Sequence, residues 1–122
     1  MIGIGVDLVD IDRFREVIAR TPTMVDRLFS GAERSYAAQQ RDPAARLAAR
    51  FAAKEAVLKC LGLGLGGMPL ADIEVVRDDA TGRPGLVLHR RAAEVAATHG
   101  VQRWELSLSH TDRLAQATAV AL

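Results

Sequence analysis

One cysteine, Cys60, stands in the whole 122-residue chain. No internal disulfide can form, and a structural zinc site lacks its thiolates. Aromatic side chains make up only 4% of the residues, too few for the stacking platform of a single-strand nucleic-acid binder. No apolar run approaches the ~20 residues that cross a bilayer, and even Leu114–Leu122 is too short. The amino terminus has no basic segment and carries Asp7 too early for a secretory signal. There is no repeat, no low-complexity tract and no linker. The expectation is one domain over residues 1–122, soluble and cytoplasmic, binding neither membrane nor nucleic acid.

What is there is ordinary in bulk and uneven in detail. A content of 49% hydrophobic and 25% charged residues is that of a globular protein. A chain of this length buries roughly two-thirds of its unfolded surface. The net charge is +1, yet between Arg13 and Arg50 eight arginines face four acids, a local excess of 8 − 4 = +4 with no lysine contributing. Such a patch favours an anionic partner, either a phosphate-rich ligand or an acidic protein. The alternative is that these arginines solvate helix faces.

The pattern of elements predicts an α+β fold, an antiparallel sheet packed against helices with one long central helix. Met1–Val9 alternates as a strand, with Ile2, Ile4, Val6 and Leu8 on one face and Asp7 on the other. Asp12–Arg20 reads as a short helix ended by Thr21-Pro22. Ser30 and Glu33 form a capping box opening a helix near 31–40. Asp42-Pro43 supplies an N-cap and an N1 proline for the long helix, which Gly62 closes. Asp72–Arg77 and Gly85–His89 read as strands around the turn Asp78–Pro84, and Arg90–His99 as a helix. Gln102–Ser109 alternates with Trp104, Leu106 and Leu108 inward, and a last apolar strand follows the turn His110–Arg113.

The densest signal is Phe51-Ala-Ala-Lys54-Glu55-Ala-Val-Leu-Lys59. Residues four apart share a helix face, so Glu55 and Lys59 present a carboxylate and an ammonium side by side. An exposed ion pair is common and has no function of its own. Here, however, the surrounding side chains are apolar or small, and a carboxylate in such a helix needs a partner. Lys59 or a metal ion would serve. Asp7 lies within a strand, where aspartate is disfavoured. It either caps a helix or acts as a ligand, and Asp10 and Asp12 are better placed for capping. Two carboxylates with phosphate oxygens and waters is how Mg²⁺ is usually held. The glycines of Gly62–Gly67 match neither a P-loop nor a dinucleotide fingerprint. They either stop the helix or bring backbone N–H groups to a phosphate. His110, at a strand end in a Ser/Thr-rich turn, is the histidine best placed for function.

Three stretches together resemble one family, the short, holo-acyl-carrier-protein synthase type of 4′-phosphopantetheinyl transferase. They are Gly5-Val-Asp7 with Arg13, the helix Arg50-Phe-Ala-Ala-Lys54-Glu55-Ala-Val-Leu-Lys59, and Leu106-Ser-Leu-Ser-His110. The resemblance covers essentially the whole chain and implies Mg²⁺-dependent transfer of phosphopantetheine from coenzyme A to a serine of apo-acyl carrier protein, for fatty acid biosynthesis. Asp7 and Glu55 would hold the metal, with Glu55 and Lys59 as the catalytic pair. Arg46, Arg50, Lys59, Gly62, Gly64 and His110 would grip coenzyme A. Arg13, Phe14, Val17 and Arg20 would dock the carrier protein's acidic helix. The family further implies a homotrimer with active sites between subunits, and the apolar last strand and alanine-rich helix suit such a contact. Leu63 departs from the family, where threonine is common, so a side-chain hydroxyl to phosphate is missing. A transferase serving another carrier, a non-catalytic coenzyme A or carrier binder, and a purely structural trimer are the competing readings.

Overall fold

The structure is a computed structural model describing residues 1–122. Its centre is the helix α4, Pro43–Cys60, which starts with Asp42 as N-cap and proline in its first turn. Gly62 then takes a left-handed φ of 69°, which a glycine adopts freely. Twelve of its side chains are buried, on all sides, so the helix runs through the core rather than over it.

What lets it do so is the size of the facing residues. Three antiparallel strands, β1 (Gly3–Asp10), β5 (Leu114–Ala121) and β4 (Trp104–His110), form a sheet in the order β1-β5-β4. The inward row of β5 is Ala115, Ala117, Ala119 and Ala121, each completely buried. Ala117, Ala119 and Ala121 pack in one core with Ala52, Ala53 and Ala56 of the helix, and Ala115 packs in a second with Ala48 and Ala49. On β1 the approach is closer still. A Cβ on Gly3 would run into the Cys60 carbonyl, and one on Gly5 into the Ala56 carbonyl. Only glycine permits that contact.

On the other side of α4 lies a hairpin of β2 (Ile73–Arg77) and β3 (Pro84–Leu88), with a 3-10 turn at Leu70–Asp72 leading into it. Helix α5 (Arg90–Thr98) follows, anchored by buried Ala92 and Ala96. Helix α1 (Ile11–Arg20) is capped by Asp10, whose carboxylate accepts the Arg13 N–H at 2.9 Å. Its Phe14 packs on Phe29 and Phe51, with ring centroids 6.4 and 5.4 Å away. Helix α3 (Gly31–Ala38) opens with the expected Ser30–Glu33 capping box. Between α1 and α3 the six-residue helix α2, Thr23–Leu28, has no capping side chain, which is why the sequence did not announce it.

The alternation of β1 is as read, and its apolar row is the exposed one. Ile2, Ile4, Val6 and Leu8 are 42–63% exposed, while Gly5, Asp7 and Val9 face the helix. The alanine-rich helix and the alanine row of the last strand, expected to suit a subunit contact, are consumed inside the chain. The outer face of the sheet is what remains open.

Candidate active site

Because β1 lies so close to α4, Asp7 reaches the helix. Its Oδ1 is 3.2 Å from Lys59 Nζ, which also donates to the Val6 carbonyl at 2.7 Å. Lys59 thus straddles the strand with two of its three protons and keeps one, on a half-exposed side chain, for another oxygen. Glu55, one turn earlier on the same face, is partly buried. Its carboxyl is raised above the ordinary range, first by burial and then by the charge of Asp7, with Lys59 partly opposing. Asp7, Glu55 and Lys59 therefore form one cluster, as the sequence led us to expect.

No third acid, histidine or cysteine joins them to make a closed metal centre. Two carboxylates held at mutual electrostatic cost fit a hard divalent cation that completes its shell with waters and phosphate oxygens. A structural cation would demand more protein ligands.

The acidic pair opens onto a cavity of about 630 Å³ whose other walls include Arg13, Phe14, Val17, Phe51 and Leu65. Carboxylates and the expected docking residues thus share one groove. Arg20 lies outside that lining, exposed in the last turn of α1. Phe14, 6% exposed, forms the wall from within the core rather than standing free on a surface.

The residues expected to grip coenzyme A do not all come together. Arg46, Arg50 and His110 surround a second cavity of about 280 Å³, with Arg77 and Tyr36 added and no carboxylate in its lining. Arg50 is only 6% exposed, its guanidinium lies 4.2 Å from the Tyr36 ring centroid, and its Nε has no hydrogen-bond partner. Burial pulls its pKa down, and no acid forms an ion pair with it. An anion is the missing partner such a group calls for. Arg46 and His110 also face a wider polar groove of about 700 Å³ beside Arg15 and Asp42, which hold each other at 2.8 and 3.0 Å. Nine residues separate Arg46 from Glu55, which places them on opposite sides of α4 and roughly 14 Å apart along its axis.

At the far end of α4, Gly62 donates its N–H to the Lys59 carbonyl and Leu63 donates to that of Leu58. Gly62 therefore has no amide left for a phosphate. The N–H groups of Gly64, Leu65 and Gly66 make no hydrogen bond within the chain. The sequence reading also missed Tyr36 and Arg77, which lie far from the motifs in sequence and meet Arg50 only through the fold. It left Lys54 without a role, although Lys54 sits inside the strongest motif.

The chain is similar to known proteins along its whole length. The model of the 4′-phosphopantetheinyl transferase superfamily matches residues 3–119. A holo-[acyl-carrier-protein] synthase of Moorella thermoacetica is 46% identical over 122 residues, covering 100% of this chain and 93% of its own. One from Clavibacter michiganensis is 52% identical over 118 residues, covering 97% of this chain and 92% of its own. Among solved structures, the holo-[acyl-carrier-protein] synthase of Neisseria meningitidis superposes with a TM-score of 0.91 at 30% identity, over 100% of this chain and 99% of that one. The Helicobacter pylori enzyme in complex with coenzyme A does so with a TM-score of 0.84 at 26% identity, over 98% and 99% of the two chains.

Proposed function

The chain belongs to the 4′-phosphopantetheinyl transferase superfamily, and from that premise we infer that it is a holo-acyl-carrier-protein synthase. It transfers 4′-phosphopantetheine from coenzyme A to a serine of apo-acyl carrier protein, for fatty acid biosynthesis in the cytoplasm. The observation that carries this reading is the single groove joining Asp7 and Glu55 to Arg13 and Val17. A phosphate site and a face for an acidic protein partner meet there.

In this reaction the serine Oγ–P bond forms as the bond between phosphorus and the 3′,5′-bisphosphorylated adenosine breaks. Asp7 and Glu55 would hold Mg²⁺, which would supply positive charge against that developing on the phosphates. Lys59, with its free proton and its tether to Val6, stabilises the non-bridging oxygen of the attacked phosphate. Glu55, its proton affinity raised by burial, is one acceptor for the serine proton, and a water held by the acidic pair is the other. Arg13 steers and seats the carrier's acidic helix.

Arg46, Arg50, Arg77 and His110 bind the nucleotide phosphates. Arg46 faces away from Glu55 on α4, and the cavity it shares with Arg50, Arg77 and His110 includes neither Asp7 nor Glu55, so one chain does not offer both halves of a coenzyme A site in one place. A homotrimer with sites between subunits resolves this, because a partner's cationic pocket can be set beside each acidic pair. The exposed row Ile2, Ile4, Val6 and Leu8 supplies an apolar contact for such an assembly.

Intact-mass spectrometry of apo-acyl carrier protein incubated with this protein, coenzyme A and Mg²⁺ tests the reading. The expected product carries one phosphopantetheine and is absent with EDTA. A carrier left unmodified despite coenzyme A binding would instead make the protein a binding module.

A further inference from the structure

The chain has two lysines. Lys59 belongs to the active site, and the other is buried deeper than any charge in the molecule. Lys54 is 0% exposed and its three protons have three acceptors. They go to Glu33 Oε1 at 2.7 Å, the Leu70 carbonyl at 2.9 Å and the Ile73 carbonyl. Glu33 in turn accepts from Ser30 N–H at 2.9 Å and Val75 N–H at 3.0 Å. Burial lowers the lysine's pKa, and Glu33 opposes that fall.

Such a pair is an expensive way to gain stability, since apolar residues of equal volume usually serve as well or better. What a lysine does that a methionine cannot is fix carbonyls in space. The two it holds stand at the end of one segment. That segment leaves α4 at Leu61, passes Gly62–Gly67 and returns through Leu70, at the 3-10 turn before β2. Its start is tied to α4 by the Gly62 and Leu63 amides. Its end is tied to the same helix by Lys54. Between the two ties lie the unpaired amides of Gly64, Leu65 and Gly66, and Leu65 lines the groove that holds Asp7 and Glu55. A Cβ on Gly64 or Gly66 would meet nothing within 4 Å, so the amides between them are held from the two ends of the stretch, by Leu63 and buried Met68 on the core and by the ties to α4.

We propose that Lys54 is a positioning residue: its buried ammonium pins the far end of the Leu61–Leu70 loop to α4, and so sets the Gly64–Gly66 amides at the distance from Glu55 and Lys59 that a coenzyme A phosphate requires. Lys54 touches neither substrate. Its effect falls on the donor nucleotide, while the carrier-protein face on α1, a separate element, is left as it was. The proposal rests on the transferase reading above.

The test compares wild type, Lys54→Met and the double variant Lys54→Met/Glu33→Gln, in which no lone charge is buried. Calorimetry gives the affinity for coenzyme A, surface plasmon resonance the affinity for apo-acyl carrier protein, and steady-state kinetics the two KM values. The expected result for the double variant is a melting temperature near wild type, with affinity for coenzyme A and KM for coenzyme A about tenfold or more worse. Carrier binding should move less than about twofold, within the scatter of independent sites. A folded double variant with unchanged coenzyme A affinity would overturn the proposal. So would equal losses for both substrates, or a double variant that does not fold, since the pair would then serve stability alone. A wild type that binds no coenzyme A would remove the transferase reading itself, an outcome distinct from any of these.

Discussion

Glu55 carries an electrostatic cost. Partial burial and the charge of Asp7 raise its pKa, so its ionised form destabilises the fold. The penalty is absent below the ordinary carboxylate range and fully present above the raised value. Glu55→Gln should therefore lose turnover by orders of magnitude, because a neutral amide binds Mg²⁺ poorly. At pH 7 it should also melt higher, by up to about 1 kcal/mol of stability, as relief of functional strain commonly does. That gain should fade as pH falls toward 4, and thermal melts across pH read it directly. Near-normal activity in this variant would remove Glu55 from the metal site. Arg13→Glu, at the other end of the groove, should weaken carrier binding far more than coenzyme A binding, and more so at low salt. Competition binding at two ionic strengths checks this. The pairing of Glu55 with Lys59 was legible because helix spacing fixes it. The burial of Arg50 against Tyr36 was not, because it depends on where α3 and the hairpin pack.

Elements position this site through one close contact. Asp7 is at Lys59 only because Gly3 and Gly5 let β1 lie on the carbonyls of Cys60 and Ala56. Gly5→Ala should push the strand off the helix, with a loss of roughly 1–3 kcal/mol from overpacking. Activity should fall further than stability alone accounts for, as Asp7 moves away from Glu55. Denaturant unfolding and kcat on the same sample separate the two effects. Long, strongly patterned elements were readable: the capped central helix, the alternating strands and the Ser30–Glu33 box all stand where the sequence puts them. The face that β1 turns inward was not, since the apolar row Ile2–Leu8 is the usual mark of a core. The glycines on its other face were the better guide, because only a strand pressed on a backbone needs them. Helix α2 escaped because six residues without a cap leave no pattern.

At the scale of the whole molecule, the chain carries an acidic groove, a separate cationic cavity and an uncovered apolar sheet face. Acids and Lys59 sit at one end of α4, while three arginines and His110 surround a cavity on its far side. Val6→Glu, on the open row of β1, should convert the assembly to monomers and abolish activity while leaving the monomer fold, which sedimentation and circular dichroism together report. The most direct test of a site shared between copies mixes two inactive variants, Glu55→Gln and Arg50→Met, after unfolding and joint refolding. In a closed ring each interface draws one half-site from each neighbour. An equal mixture should then regain about a quarter of the wild-type rate, since both intact halves meet at about one interface in four. A mixture that stays as inactive as its components, while still assembling, would place the whole site within one chain and contradict this arrangement.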